Sequence, residues 1–202
     1  MSPDNNTQGT MLLISGPSGS GKSTICKRLL EDPRVVFSVS ATTRAKREGE
    51  VHGRDYYFLT VEEFSAKRAS GDFLESAEVY GNLYGTLRSP MQDAITKGFI
   101  YLVEIDVQGA MQLLAGKEAG IYVFIAPPSM QALEERLRGR GSETPESLER
   151  RLGKAEDEYR ERNRYDHVVV NDNLDEAVAE VRRIAGLDPK LINKTEAESQ
   201  GS

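Results

Sequence analysis

Directly after the apolar run "MLLIS" (residues 11–15) the chain reads "GPSGSGKST", Gly16 to Thr24, and then continues as the helix-forming stretch "STICKRLLE". No other feature constrains the fold as strongly. The stretch satisfies G-x-x-x-x-G-K-[ST]: glycines let the backbone turn with positive φ, and its N–H groups can then close around phosphate oxygens. The helix that follows points its partly positive N-terminus at the same anion. Gly16, Pro17, Ser18, Gly19, Ser20, Gly21, Lys22, Ser23 and Thr24 are therefore candidates for holding a nucleoside triphosphate. Lys22 would reach the phosphates, and the Ser23 hydroxyl would ligate Mg²⁺. A flexible Gly/Ser loop with a chance lysine is the alternative, and its placement between strand and helix argues against it.

The rest of the chain continues the strand–helix rhythm. "VVFSVS" (35–40), "IYLVEID" (100–106), "IYVFIA" (121–126) and "HVVVN" (167–171) join "MLLIS" as β-branched and aliphatic runs, the pattern of strands buried on both faces. The expected class is α/β, a P-loop NTPase-type three-layer fold with a central parallel sheet. Helix starts are expected at Thr60 with Glu63, at Ser89 with Pro90 and Gln92, and at Asn173 with Glu176. From Glu146 to Arg164, Leu148, Leu152, Ala155 and Tyr159 recur at helical spacing among charges, which predicts a helix with a narrow apolar stripe. "DYYFLT" (55–60) and "FLESAEVY" (73–80) interrupt the alternation and suggest a small inserted lobe.

Composition excludes several classes. At 202 residues and 38% hydrophobic, with no apolar run near the ~18 residues of a membrane span, the chain is expected to be globular with no membrane partner. A formal net charge of −6 argues against bulk nucleic-acid binding. One cysteine, Cys26, cannot form an internal disulfide, and the N-terminus shows no leader pattern, so the cytoplasm is the expected compartment. The sequons at Asn5 and Asn193 then read as accidents of composition. Residues 1–9 and 191–202 read as polar tails.

In this acidic chain "SATTRAKREGE" (40–50) gathers Arg44, Lys46 and Arg47 beside Ser40, Thr42 and Thr43. A solvated loop is the bland reading of such a cluster. Beside a triphosphate-binding loop, two guanidinium groups three apart suit a phosphomonoester dianion, because their forked donors match phosphate oxygens. An acceptor monophosphate follows as the expectation.

Taken in order, "GPSGSGKS", "SVSATTRAKREGEVHGRDYYF", "YGNLYGT", "EIDVQGA", "FIAPPS", "GRG" and "VVVND" resemble the guanylate kinases. The resemblance runs from about Met11 to Ala185. It implies ATP-dependent phosphorylation of GMP, and of dGMP, to the diphosphate in purine nucleotide metabolism, with Mg²⁺ as cofactor and ATP and GMP as small-molecule partners. It also implies one domain over 10–190, with a core at about 10–39, 98–137 and 165–190, a GMP-binding lobe at about 40–90 and a lid at about 138–160. Arg44, Arg47, Tyr56 and Tyr84 match the positions that hold the GMP phosphate. Ser40, Glu75 and Thr86 match those that read guanine, Arg140 and Arg151 the lid arginines, and Asn171 the contact to the ATP base.

Chemistry supports these matches independently. Guanine presents N1–H and a 2-amino group side by side, and one ionised carboxylate such as Glu75 accepts both, whereas adenine offers neither donor there. A hydroxyl from Ser40 or Thr86 would donate to O6. Tyr84, between Gly81 and Gly85, is expected in a turn that exposes its hydroxyl, while Tyr57 and Phe58 are expected to pack. Glu104 and Asp106, two apart, would lie on one face near the C-terminal end of a strand, where α/β ligand sites open. Asp106 resembles the acid of the Mg²⁺ water shell and Glu104 an acid near the acceptor; the division of tasks stays open at this point. "LRGRGSETPE" sets Arg140 between glycines before Thr144 and Pro145, a hinge pattern suited to a closing lid.

Overall fold

The computed structural model describes residues 9–79, 81–139 and 145–188. Contacts divide the chain into two units, one from the segments up to Ser15 and from Pro33 to Gly120, the other from Gly16–Asp32 and from Ile121 onward.

In the first unit β1 (Thr10–Ser15), β7 (Ile100–Glu104) and β2 (Val35–Phe37) run parallel, with β7 in the middle and Leu12 beside Leu102. Met11, Leu12, Leu13 and Ile14 are all fully buried, which is why the strand carries an unbroken apolar run instead of an alternating one. Helices α3 (Arg88–Thr96) and α4 (Val107–Ala115) pack against β1. The run at 35–40 does not form one strand. Ser38 N still donates to Leu102 O at 2.8 Å, but the chain then changes sheets, and β3 (Ser40–Thr42) begins a second one.

That second sheet has the order β4-β3-β6-β5, with β4 at Tyr57–Phe58, β5 at Phe73–Val79 and β6 at Asn82–Leu87. It corrects two expectations. Only two residues of 55–60 are strand, and Tyr84 lies inside β6 rather than in a turn. The two faces follow the period of a pleated strand. On one, Ala41, Tyr57, Leu83, Leu87 and Phe73 pack on Phe64 of α2 (Val61–Ala69), whose ring stacks on Phe73 at 4.3 Å between centroids. On the other, Ser40 stands opposite Thr86 and Thr86 opposite Glu75, while Thr42 stands opposite Tyr84. One face therefore builds the core and the other is left for polar work.

Caps behave largely as the sequence suggests. Thr60 and Glu63 form the reciprocal capping box of α2. At α3 the expectation fails: Ser89 is not the cap. Its N–H and hydroxyl both donate to the Asp72 carboxylate, at 3.0 and 3.3 Å, so an acid from the preceding hairpin satisfies the helix N-terminus.

The second unit holds the glycine-rich loop, α1 (Lys22–Leu29), the parallel pair β8 (Ile121–Ala126) and β9 (His167–Val170), α5 (Met130–Arg138), α6 (Pro145–Arg160) and α7 (Leu174–Ile184). Asn173 caps α7 by accepting from the N–H groups of Asp175 and Glu176. Leu148, Leu152 and Ala155 of α6 pack on Leu133 and Leu137 of α5, as the apolar stripe predicts. A 3₁₀ turn, Glu161–Arg164, ends that helix early.

Candidate active site

Gly16, Gly19 and Gly21 all have positive φ, at 140°, 91° and 96°, so the loop has the backbone that only glycine adopts cheaply. It curls into a cavity of about 130 Å³ lined by Ser18, Gly19, Gly21, Lys22, Ser23 and Thr24. Lys22 Nζ reaches back to donate to the carbonyls of Gly16 and Pro17 at 2.7 and 2.9 Å. The ammonium is thereby held over its own loop. Ser23 and Thr24 are exposed on the first turn of α1.

Asn171 has a role that sequence reasoning did not supply. Its amide is buried at 6% exposure and donates to Ser20 O at 2.7 Å, while its own backbone carbonyl accepts from Arg136 at 2.9 Å. The side chain that the resemblance assigns to a base contact also braces the loop. A Cβ on Gly21 would collide with that amide. Gly21→Ala is accordingly expected to cost about 1–3 kcal/mol from the left-handed backbone alone, and the collision adds to it. Chemical denaturation measures the loss; a midpoint equal to wild type would mean that the loop relaxes freely.

In the first unit the cationic loop is organised by a residue absent from the expected set. Arg44 is clamped by Glu50, with Nη1 to Oε2 at 3.1 Å and Nη2 to Oε1 at 2.7 Å, and Nη1 also donates to Ala45 O. Glu50 Oε2 accepts from Arg47 N as well, at 2.7 Å. The guanidinium lies 5.5 Å from the Tyr56 ring centre and 5.8 Å from that of Phe58, and Tyr56 meets Tyr84 edge-on at 6.1 Å. Arg44, Tyr56 and Tyr84 are therefore brought together, and Phe58 packs beneath the arginine rather than in the core. Arg47 is exposed. Hydrogen bonding to Glu50 raises the pKa of Arg44, with a smaller contribution from Tyr84, and the bond from Arg44 lowers the pKa of Glu50.

Glu75 and Thr86 meet directly: Thr86 Oγ1 donates to Glu75 Oε1 at 2.8 Å, and Thr86 is fully buried. Burial holds the Glu75 carboxyl above its ordinary range, the Thr86 hydrogen bond opposes this, and the negative charge of Asp106 adds to it. Asp106 is not in the strand. β7 ends at Glu104, and Asp106 is the N-cap of α4, accepting from Gly109 N at 2.9 Å. The two carboxylates thus occupy different structural settings. Arg151 is exposed on α6, and Arg140 and Thr144 lie outside the described residues.

A strand–loop–helix turn built on positive-φ glycines, with Lys22 at the start of its helix, defines the class, a P-loop kinase. The guanylate kinase family model matches residues 8–186, and the chain belongs to the guanylate kinase family. Guanylate kinase of Clostridium perfringens is 49% identical over 180 residues, spanning 89% of this chain and 83% of that protein. That of Nitratidesulfovibrio vulgaris is 51% identical over 175 residues, 86% and 84% of the two chains. Among solved structures, guanylate kinase from Anaplasma phagocytophilum aligns with a TM-score of 0.66 at 38% identity, covering 89% of this chain and 85% of that one. Shikimate kinase from Bacteroides thetaiotaomicron aligns at 0.50 and 15% identity over 88% and 99% of the two chains, a likeness of fold alone.

The family implies a divalent cation, and the residues fit one. The Ser23 hydroxyl is a hard oxygen donor that lines the loop cavity, and Mg²⁺ takes few protein ligands when phosphate oxygens and water complete its octahedron. Among the described residues no three His, Cys, Asp or Glu side chains gather into a cage. No described helix is long and apolar enough to cross a membrane.

Proposed function

We propose that this chain transfers the γ-phosphoryl group of ATP to the phosphate of GMP, giving ADP and GDP in the cytoplasm. The observation that carries the reading is the row Ser40–Thr86–Glu75 across three strands, on the same face as Tyr84 and the Arg44 loop. A purine base and a phosphomonoester need those two sets of groups side by side.

Recognition follows from donors and acceptors. Ionised Glu75 accepts from guanine N1–H and the 2-amino group. Thr86 gives its one hydroxyl proton to Glu75, so the donor to O6 is Ser40. Asp106, whose charge acts on Glu75, serves the amino-group side of the base. That leaves Glu104 as the carboxylate for the metal's water shell. Arg44, Arg47, Tyr56 and Tyr84 take the GMP phosphate.

For the donor, the N–H groups of residues 18–24 and the Lys22 ammonium hold the ATP phosphates. Ser23 would hold Mg²⁺, which when bound neutralises phosphate charge and thereby eases the transfer. An oxygen of the GMP phosphate attacks the γ-phosphorus as the bond to the ADP oxygen breaks, and no covalent enzyme intermediate forms. That oxygen is already ionised near neutral pH, so no strong base is required. Arg140 and Arg151 add positive charge to the transferring group, and the helical lid excludes water that would hydrolyse ATP.

The test supplies ATP and Mg²⁺ with GMP, dGMP, AMP, CMP or UMP in turn and records ADP formation. Turnover confined to GMP and dGMP is expected. Turnover with AMP or UMP in place of GMP would assign the site to another acceptor, and none at all would make the chain a binding module.

A further inference from the structure

We infer that Glu50 is a positioning residue for the acceptor phosphate: it fixes Arg44 so that one edge of the guanidinium is held by protein and the other is presented to phosphate. This deepens the GMP reading and rests on it.

The argument is geometric. A guanidinium has five N–H donors arranged on an end-on edge, between Nη1 and Nη2, and a side-on edge, between Nε and Nη2. Glu50 takes the end-on edge with both oxygens, at 3.1 and 2.7 Å, and Ala45 O takes the outer Nη1 proton at 2.7 Å. Outside the clamp lies the side-on edge, Nε–H with the second Nη2–H, a pair of parallel donors spaced for two phosphate oxygens, and the Tyr84 hydroxyl, which also interacts with the guanidinium, is a phosphate ligand in the same reading. The Arg44 and Glu50 side chains are only 15% and 19% exposed, so the clamp is shielded from solvent and its geometry is more persistent than that of a surface pair. The Tyr56 and Phe58 rings at 5.5 and 5.8 Å restrict the plane of the guanidinium as well.

Glu50 acts on the second arginine too. The oxygen that holds Arg44 Nη1 also accepts from Arg47 N at 2.7 Å. One carboxylate therefore sets the side chain of Arg44 and the backbone of Arg47, coupling the two cations that are to share a dianion. Without it, the long arginine would have to be ordered at the moment of binding, an entropic cost that preorganisation removes. A competing role is conceivable on the same contacts: Glu50 could occupy the place of the phosphate and oppose binding. The two roles predict opposite signs.

The experiment is Glu50→Gln, which keeps shape and one acceptor but loses the charge and the two-pronged clamp. Wild type is assayed first with ATP, Mg²⁺ and GMP; absence of turnover there would remove the GMP reading itself, independently of Glu50. Given turnover, the expected result for E50Q is a KM for GMP raised about tenfold, the value of one charge-assisted contact. The KM for ATP and kcat should stay within about twofold of wild type. Guanosine, which lacks the phosphate, should inhibit both proteins equally, whereas a merely collapsed loop would weaken guanosine as well. If E50Q proves unstable, Glu50→Asp, which keeps the charge but cannot span both guanidinium nitrogens, replaces it in the same assays and in a cycle with Arg44→Lys: Glu50 acting through Arg44 predicts that the Glu50 variant adds little once Arg44→Lys is already in place. An unchanged or lowered KM for GMP, equal losses for guanosine, or full additivity in the cycle would each overturn the assignment.

Discussion

Replacing Lys22 with methionine should lower kcat by about 10³-fold, the scale of losing one charge aimed at a developing anion. Methionine keeps the length and apolar stem of lysine and removes only the ammonium. In the resting protein that ammonium is bonded to Gly16 O and Pro17 O, which hold it over the loop. The loop itself should survive, because its shape comes from positive-φ glycines and from the Asn171 amide on Ser20 O. The thermal midpoint of Lys22→Met should therefore lie close to wild type while turnover collapses. Near-normal turnover would contradict the assignment of the cradle.

Glu75→Gln is expected to separate function from stability in the opposite way. Glutamine offers guanine one acceptor where the carboxylate offers two, and turns its amino group toward the N–H donors of the base. The resulting mismatch should lower kcat/KM for GMP by about 10²–10³-fold. The fold should gain. Because burial raises the Glu75 pKa, the native state binds its proton more readily than the unfolded chain does, so ionised Glu75 opposes folding at neutral pH and the opposition fades as pH falls. Gln has no such charge and can still accept from Thr86. Equilibrium unfolding at pH 7 should show the variant at least as stable as wild type. The same shift sets the pH dependence of wild type: the KM for GMP rises as pH falls, beginning above the ordinary carboxylate value of 4.5. A flat KM across that range would mean that Glu75 does not meet the base in its ionised form.

The glycine loop was legible from sequence because its chemistry is local: consecutive residues make the site, and the strand and helix around it are written in the same stretch. The caps at Thr60 and Asn173 were legible for the same reason. Features that depend on chain reversal were not. The apolar run at 35–40 hides a change of sheet, since hydrophobicity does not record which partner a strand takes. Tyr84 sits in a strand despite flanking glycines, because pairing of Thr42 with Tyr84 and of Ala77 with Tyr84 overrides local preference. Ser89 lost its capping role to Asp72, whose approach is set by the hairpin and not by the helix.

The candidate site divides along the same line. The resemblance named the arginines, tyrosines and hydroxyls of the acceptor site, but Glu50 is visible only once the loop from 44 to 50 closes on itself. Its signal in the sequence was an acid set among cations, which solvated loops share. Asp106 was expected in a strand on the strength of two-residue spacing; the strand ends first, and the acid becomes a helix cap instead.

The central claim is that phosphate moves from ATP to GMP on this chain. ATP labelled in its γ-phosphate, incubated with GMP, Mg²⁺ and the protein, tests it most directly when the nucleotides are separated. The label should be recovered in the β-phosphate of GDP, one equivalent for each ADP formed. Recovery as inorganic phosphate alone, with GMP unchanged, would contradict the account.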